Sequence, residues 1–193
     1  SVTYLYRSLS GNLTVLDIED SLVGERPEKV EVAGPQEPLN VLVMGSDTRE
    51  GENNIDGLTG DGERSDTTLL LHFSADRERA YGVSIPRDSM VNRPQCKNED
   101  GEIIPAADYQ MWNVAYEVGG PACTIQQFES LTGIRLDHFV VVDFTGFQDM
   151  VDAVGGVEVC IPETIDDREH GMYLEAGTRK LEGSPYAPQS TMP

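Results

Sequence analysis

Five short runs constrain the fold of this chain more than any other feature: "LNVLVMG" from Leu39, "TTLLLHFS" from Thr67, "RAYGVSI" from Arg79, "HFVVVDF" from His138 and "GVEVCIP" from Gly156. Each is too short for a helix, rich in β-branched residues and almost continuously apolar, the pattern of strands covered on both faces. Two helical stretches lie among them. Pro121 suits a first helical position, Ile125, Phe128 and Leu131 form an apolar stripe, and Gly133 suits a left-handed stop. Thr145 suits an N-cap, and Phe147, Met150, Val151 and Val154 follow at helical spacing before Gly155. Apolar helix stripes facing such strands predict an α/β/α sandwich around a central sheet. The short "ADRER" link between the second and third runs predicts a hairpin, so the sheet is expected to be mixed.

The 193 residues suffice for one substantial core and are short for two. Residues 1–38, with Pro27, Pro35 and Pro38, read as an N-terminal arm and connector, residues 39–183 as the main domain, and 184–193 as a tail. Two long loops interrupt the domain, at 49–65 ("REGENNIDGLTGDGERS") and 91–112. The first lacks the alternating ligands and closing glutamate of an EF-hand and reads as a solvated loop. No run approaches the ~20 apolar residues that cross a bilayer. The protein is therefore either soluble throughout or anchored by a segment outside this sequence. The formal charge of −20 excludes nucleic acid as a natural partner and repels anionic lipid. An anionic substrate could bind only where arginines or a divalent cation reverse the field. Cys96, Cys123 and Cys160 are too scattered for a zinc module; three thiols, or one disulfide and an odd cysteine, both fit the composition.

The usual nucleophile and nucleotide motifs are absent: there is no G-x-S-x-G elbow, P-loop or G-x-G-x-x-G. His72, His138 and His170 lack metal-ligand spacing and read as structural or solvated. What remains is a set of arginines and aspartates at strand ends: Asp47 after "VLVMGS", Arg64 and Asp66 before "TTLLLHF", Arg87 and Asp88 after "VSIP". Singly, each reads as a turn cap or a surface ion pair of little energetic weight. Together they converge. A hairpin sets the start of one strand beside the end of the next, so Arg64 and Asp66 should meet Arg87 and Asp88 at one sheet edge, and Asp47 joins them if the first run pairs alongside. Two carboxylates there could hold a hard cation such as Mg²⁺, and two guanidiniums could fork onto phosphate oxygens.

The segments "NVLVMGSDTR", "RSDTTLLLHF", "VSIPRDSMV", "WNVAYEVGGP", "LTGIRLDHFVVVDFTGF", "MVDAVGGVEVCIP" and "EAGTRKLEG" resemble, in that order, the LytR–CpsA–Psr family, over about residues 39–183. The resemblance implies a membrane-anchored, extracytoplasmic phosphotransferase. Such an enzyme moves a glycopolymer from a polyprenyl-pyrophosphate carrier to peptidoglycan or a cell-wall glycoprotein. It implies that Asp47 and Asp66 coordinate Mg²⁺, that Arg64 and Arg87 bind the phosphates and stabilise the transition state with Asp88 assisting, and that Asn113 and Tyr116 border the site. The apolar helices and sheet would form a tunnel for the prenyl chain, and a carboxylate among Asp47, Asp66 and Asp88 would be the general base. Met111 stands where many members carry a lysine. After "LEG" this sequence reads "SPYAPQSTMP", where the family continues with a Tyr-x-Arg-x-Arg motif. The alternative these departures raise is a non-catalytic module that binds a lipid-linked pyrophosphate or glycan. An extracytoplasmic setting also favours a Cys96–Cys123 disulfide, stabilising by about 3 kcal/mol on chain-entropy grounds.

Overall fold

The computed structural model describes residues 21–29, 32, 36–46, 65–98, 100–167 and 172–183. Its centre is a four-stranded mixed sheet with strand order β3-β2-β1-β8. Strands β1 (Leu39–Ser46) and β2 (Ser65–Phe73) are antiparallel, with Leu42 opposite Leu70 and Met44 opposite Thr68. β3 (Ala80–Ile85) continues the hairpin, with Thr68 opposite Ile85, and β8 (His138–Val142) lies parallel to β1 on the other side. The turn of the hairpin closes through Ser74 and Arg79, whose backbone groups bond at 2.9 Å, as the short polar link requires.

Period-two alternation separates the sheet's faces. Leu42, Met44, Thr68 and Leu70 point to one side, where they are buried with Trp112, Tyr116, Ile125, Phe128 and Leu136. Trp112 and Phe128 meet edge to face, with ring centroids 6.5 Å apart. Burial of each such side chain contributes roughly 1.5–3 kcal/mol. The opposite face, carrying Val41, Val43, Leu69, Leu71 and Val140, is only half-buried among the described residues. β3 is an edge strand with Tyr81 and Val83 exposed. "RAYGVSI" is thus not covered on both faces as its continuous apolarity led us to expect.

The helix α1 (Val114–Thr132) covers the inner face. It starts seven residues before Pro121, at Val114, and is two helical pieces joined at a kink. Gly120 has φ 60° and ψ −155°, a region essentially reserved for glycine. A Cβ on Gly119 would lie 2.8 Å from the Lys97 carbonyl oxygen and 2.7 Å from Cys123 Cβ. Pro121 then opens the second piece, the place where its missing N–H costs nothing. Gly133 ends it at φ 68°, its N–H bonded to Glu129 O at 2.9 Å. Ile125 and Phe128 face the core as expected. Leu131 is 55 % exposed, because the buried stripe runs instead through Ala122, Cys123, Gln127 and Glu129.

The helix α2 (Phe144–Ala153) is capped by Asp143, whose carboxylate accepts the Gly146 N–H at 2.7 Å; Thr145 lies inside the first turn and is not the N-cap. The shorter reach of Asp143 to the third helical residue decides this. Phe147, Met150 and Val154 on α2 are exposed among the described residues.

The stretch 91–112, expected as a long loop, is built of short strands: β4 (Met90–Arg93), β5 (Cys96–Lys97), β6 (Ile103–Ile104) and β7 (Ala107–Met111), paired β4 with β7 and β5 with β6. Two devices order it. Arg93 is buried and donates to the carbonyls of Pro94 and Pro105, the latter at 2.9 Å, and burial pushes its guanidinium pKa down. Cys96 and Cys123 form a disulfide that ties β5 to the start of the second piece of α1. "GVEVCIP" is a strand, β9 (Val157–Ile161), but it pairs with β12 (Gly177–Leu181) outside the central sheet. A further ribbon joins β10 (Ile165–Asp167) to β11 (Met172–Leu174).

The connector before β1 docks on α1. Arg26 grips Glu129 bidentately at 2.9 and 2.7 Å, and Glu129 also accepts the Leu136 N–H at 2.9 Å, so this buried carboxylate is fully matched. Lys29 bridges Glu37 and Asp137.

Candidate phosphate site

Strand register builds the site. β1 ends at Ser46 opposite Ser65, the first residue of β2, and β3 ends at Ile85 opposite Thr68. The C-terminal ends of the parallel strands β1 and β8 lie at this same edge, with Gly45 opposite Val142, and α2 begins just beyond it. Ligands of α/β sheets are bound at such an edge, outside the carboxyl ends of parallel strands.

At this edge Arg87 Nη1 donates to Asp66 Oδ1 at 2.8 Å, and Arg87 Nε stands 3.6 Å from Asp88 Oδ1. The expected meeting of Asp66 with Arg87 and Asp88 is therefore present. Both partners of the closer pair are open to solvent, with side chains 51 and 44 % exposed. Asp47 and Arg64, the other expected members, lie outside the described residues.

Arg87 stands on a tight turn in which Ser89 N–H bonds Pro86 O at 3.0 Å. The turn's carbonyls are held from the next segment: Trp112 N–H donates to Ser89 O at 2.9 Å and Asn113 N–H to Arg87 O at 3.3 Å. Asn113 is the residue before α1 and is buried, and its Oδ1 has no hydrogen-bond partner among the described residues. Asn113 is thus brought against Arg87. Tyr116, one turn further, sits in the hydrophobic core. Met111 is opposite Met90 at this side of the β4–β7 ribbon, and both are exposed.

Reading the sequence did not find Thr68, Trp112 or Gln127. Trp112 Nε1 donates to Thr68 Oγ1 at 2.9 Å, and Gln127 Nε2 donates to Trp112 O at 3.1 Å. Their only sequence signal is a lone tryptophan next to Asn113 and a glutamine interrupting an apolar helical stripe. A separate hollow of about 270 Å³ lies at the kink of α1, bounded by Asn98, Asp100, Glu117 and Gly119. Its carboxylates make it a poor seat for an anion.

A mixed α/β domain with an arginine–carboxylate pair at the carboxyl ends of its central strands has the general layout in which α/β sheets place their ligand sites. The profile of the LytR_cpsA_psr family matches residues 5–186, and the chain belongs to that family. It is 36 % identical over 151 residues to the probable cell wall biosynthesis protein LcpB of Corynebacterium glutamicum, covering 75 % of this chain and 34 % of that one. It is 31 % identical over 154 residues to the polyisoprenyl-teichoic acid–peptidoglycan teichoic acid transferase TagT of Bacillus subtilis, covering 77 and 43 % of the two chains. Among solved structures it resembles TagT with bound octaprenyl pyrophosphate lipid, with a TM-score of 0.59 and 27 % identity over 84 % of this chain and 61 % of that one. The chain spans a third to about half of the length of the curated relatives it matches.

Proposed function

We propose that this chain carries the pyrophosphate-binding part of a Mg²⁺-dependent phosphotransferase. It would move a glycopolymer from a polyprenyl-pyrophosphate carrier to peptidoglycan or a cell-wall protein. The observation that carries the reading is Arg87, held at the carboxyl edge of the sheet by Asp66, in a chain whose relatives include a named teichoic acid transferase. In a protein of net charge −20, an exposed guanidinium at that edge is where an anion is admitted.

The reaction is a displacement at phosphorus. An acceptor hydroxyl attacks the phosphorus bonded to the glycan, the bond from that phosphorus to the bridging oxygen breaks, and polyprenyl monophosphate leaves. The new phosphodiester joins glycan to acceptor. The hydroxyl proton goes to a carboxylate, for which Asp47, Asp66 and Asp88 are the candidates. Arg87, joined by Arg64, would bind the phosphate oxygens and stabilise the charge that develops on them. Asn113 borders the site through its contact with the Arg87 backbone.

Asp66 supports the Mg²⁺ reading: the ion is commonly held by one or two carboxylates together with substrate phosphates, and the Asp66 side chain is 44 % exposed at the site edge. Asp66 and Asp47 would hold it; when bound, it neutralises charge on the pyrophosphate.

The prenyl chain needs an apolar surface leading away from this edge. Phe144 and Phe147 on the first turn of α2 are exposed just beyond the end of β8, and Val140 on β8 is exposed too, which supports the reading. No described helix is long and apolar enough to cross a membrane. The proposed setting is extracytoplasmic, on a membrane anchor outside this sequence, and the Cys96–Cys123 disulfide accords with an oxidising compartment.

The test is transfer of a labelled saccharide from a synthetic polyprenyl-pyrophosphate carrier to peptidoglycan fragments, with Mg²⁺ and with EDTA. Metal-dependent transfer is expected. Tight binding of the carrier with no release of polyprenyl phosphate at any metal concentration would mark a binding module instead.

A further inference from the structure

Arg87 and Asp66 cannot position themselves. An exposed ion pair is worth about 0–1 kcal/mol and tolerates many geometries, whereas phosphate chemistry needs a guanidinium placed to within ~0.5 Å. The turn that carries Arg87 is held from beneath, and that hold contributes to its placement.

Beneath it is one peptide unit. The carbonyl of Trp112 and the N–H of Asn113 belong to the same planar, trans peptide. Its oxygen accepts Gln127 Nε2 at 3.1 Å, and its N–H donates to the Arg87 carbonyl at 3.3 Å. Rotating that plane breaks both bonds together. The same tryptophan fixes the turn a second time, donating its own N–H to Ser89 O at 2.9 Å, and anchors to β2 through Nε1 to Thr68 Oγ1 at 2.9 Å. Thr68 is two residues from Asp66 on that strand. A closed frame therefore runs from Asp66 along β2 to Thr68, across to Trp112, and back to Arg87.

Gln127 is the member whose loss leaves the Trp112 carbonyl with a donor, because that oxygen also accepts the Ala115 N–H at 3.4 Å. It is fully buried on the helix that carries the core-facing Ile125 and Phe128, and its Oε1 has no hydrogen-bond partner among the described residues. A buried amide with an unsatisfied oxygen costs about 1–3 kcal/mol relative to a matched or apolar group. Methionine fills nearly the same volume without that cost.

We propose that Gln127 is a positioning residue for Arg87, acting through the Trp112–Asn113 peptide, and that its amide is kept at the expense of stability. This rests on the reading of Arg87 as a phosphate-binding group.

The experiment compares wild type with Gln127→Met in three measurements: melting temperature, the order of the Arg87 Nε–H by NMR relaxation, and affinity for inorganic pyrophosphate. The expected result is a melting temperature at or above that of wild type, a less ordered Arg87 Nε–H, and pyrophosphate affinity down about tenfold. Unchanged Arg87 order in a folded Gln127→Met overturns the proposal. So does a loss of order that appears only alongside a drop in melting temperature, since that is a packing defect. Should Gln127→Met not fold, Thr68→Val against Thr68→Ser decides. Loss of Arg87 order in the valine variant and its retention in the serine variant supports the frame, and equal order in both overturns it. If wild type itself does not bind pyrophosphate, the functional reading fails, while the Arg87 order still judges the positioning role.

Discussion

Arg87 contributes little to the fold and, on this account, most of the binding of the donor phosphate. Its side chain is half exposed and its pairing with Asp66 is open to solvent, so Arg87→Ala should change stability by less than about 1 kcal/mol. The same substitution should lower transfer by 10²-fold or more, as removal of a charge-stabilising donor commonly does. Chemical denaturation and turnover measured on one preparation check both halves. Asp137 behaves oppositely. Burial disfavours its charge, but the Lys29 ammonium and the Asn40 N–H outweigh burial and hold its carboxyl below the ordinary value of 3.8. A carboxyl depressed in the folded state contributes stability that is present above its unfolded pKa and lost as pH falls through the folded one. Unfolding free energy should therefore decline on acidification below about pH 4, and Asp137→Asn should flatten that limb, measured by denaturant titration at several pH values. The convergence of Asp66 and Arg87 was legible because hairpin geometry alone brings a strand start beside the next strand's end. The role of Gln127 was not, because a buried glutamine and a solvated one look the same in sequence. Asp143 displaced Thr145 as the cap of α2 for a similar reason: both are good caps, and only the backbone shows which carboxyl or hydroxyl reaches an N–H.

The elements were read well where a residue type dictates backbone geometry. Pro121 and Gly133 bound the second piece of α1 as their chemistry demands. The first piece, from Val114, is not legible because Pro121 marks a helix start, whereas Gly119 and Gly120 form a kink between two helical pieces. Gly120→Ala would force a Cβ into the glycine-only region and should cost about 1–3 kcal/mol. Residues 91–112 were read as loop because their strands are only two to five residues long. Such strands carry no periodic signal, and Arg93 and the disulfide hold them. Removing the bridge in Cys96→Ser/Cys123→Ser should lower unfolding free energy by about 3 kcal/mol. Equal midpoints for oxidised and reduced wild-type protein would contradict that.

At the scale of the whole molecule, charge and topology work against each other, and the proposed site is where the two meet. The net charge of −20 disfavours phosphate in general, and among the described residues Arg87 is the guanidinium at the edge where the parallel pair β1 and β8 ends. The apolar surfaces of α2 and the outer sheet face start from the same edge. Long strands made this architecture readable. The apolar side of α2 was expected against the sheet and is exposed among the described residues, since a helical stripe shows that a face is apolar and not what covers it. The central claim is that Arg87 at the sheet edge binds the pyrophosphate of a prenyl carrier. The most direct test is calorimetric binding of a synthetic polyprenyl pyrophosphate in Mg²⁺ to wild type and to Arg87→Ala. Saturable binding by wild type and affinity at least tenfold weaker in the folded variant are expected. Equal affinity of the two proteins would contradict the claim.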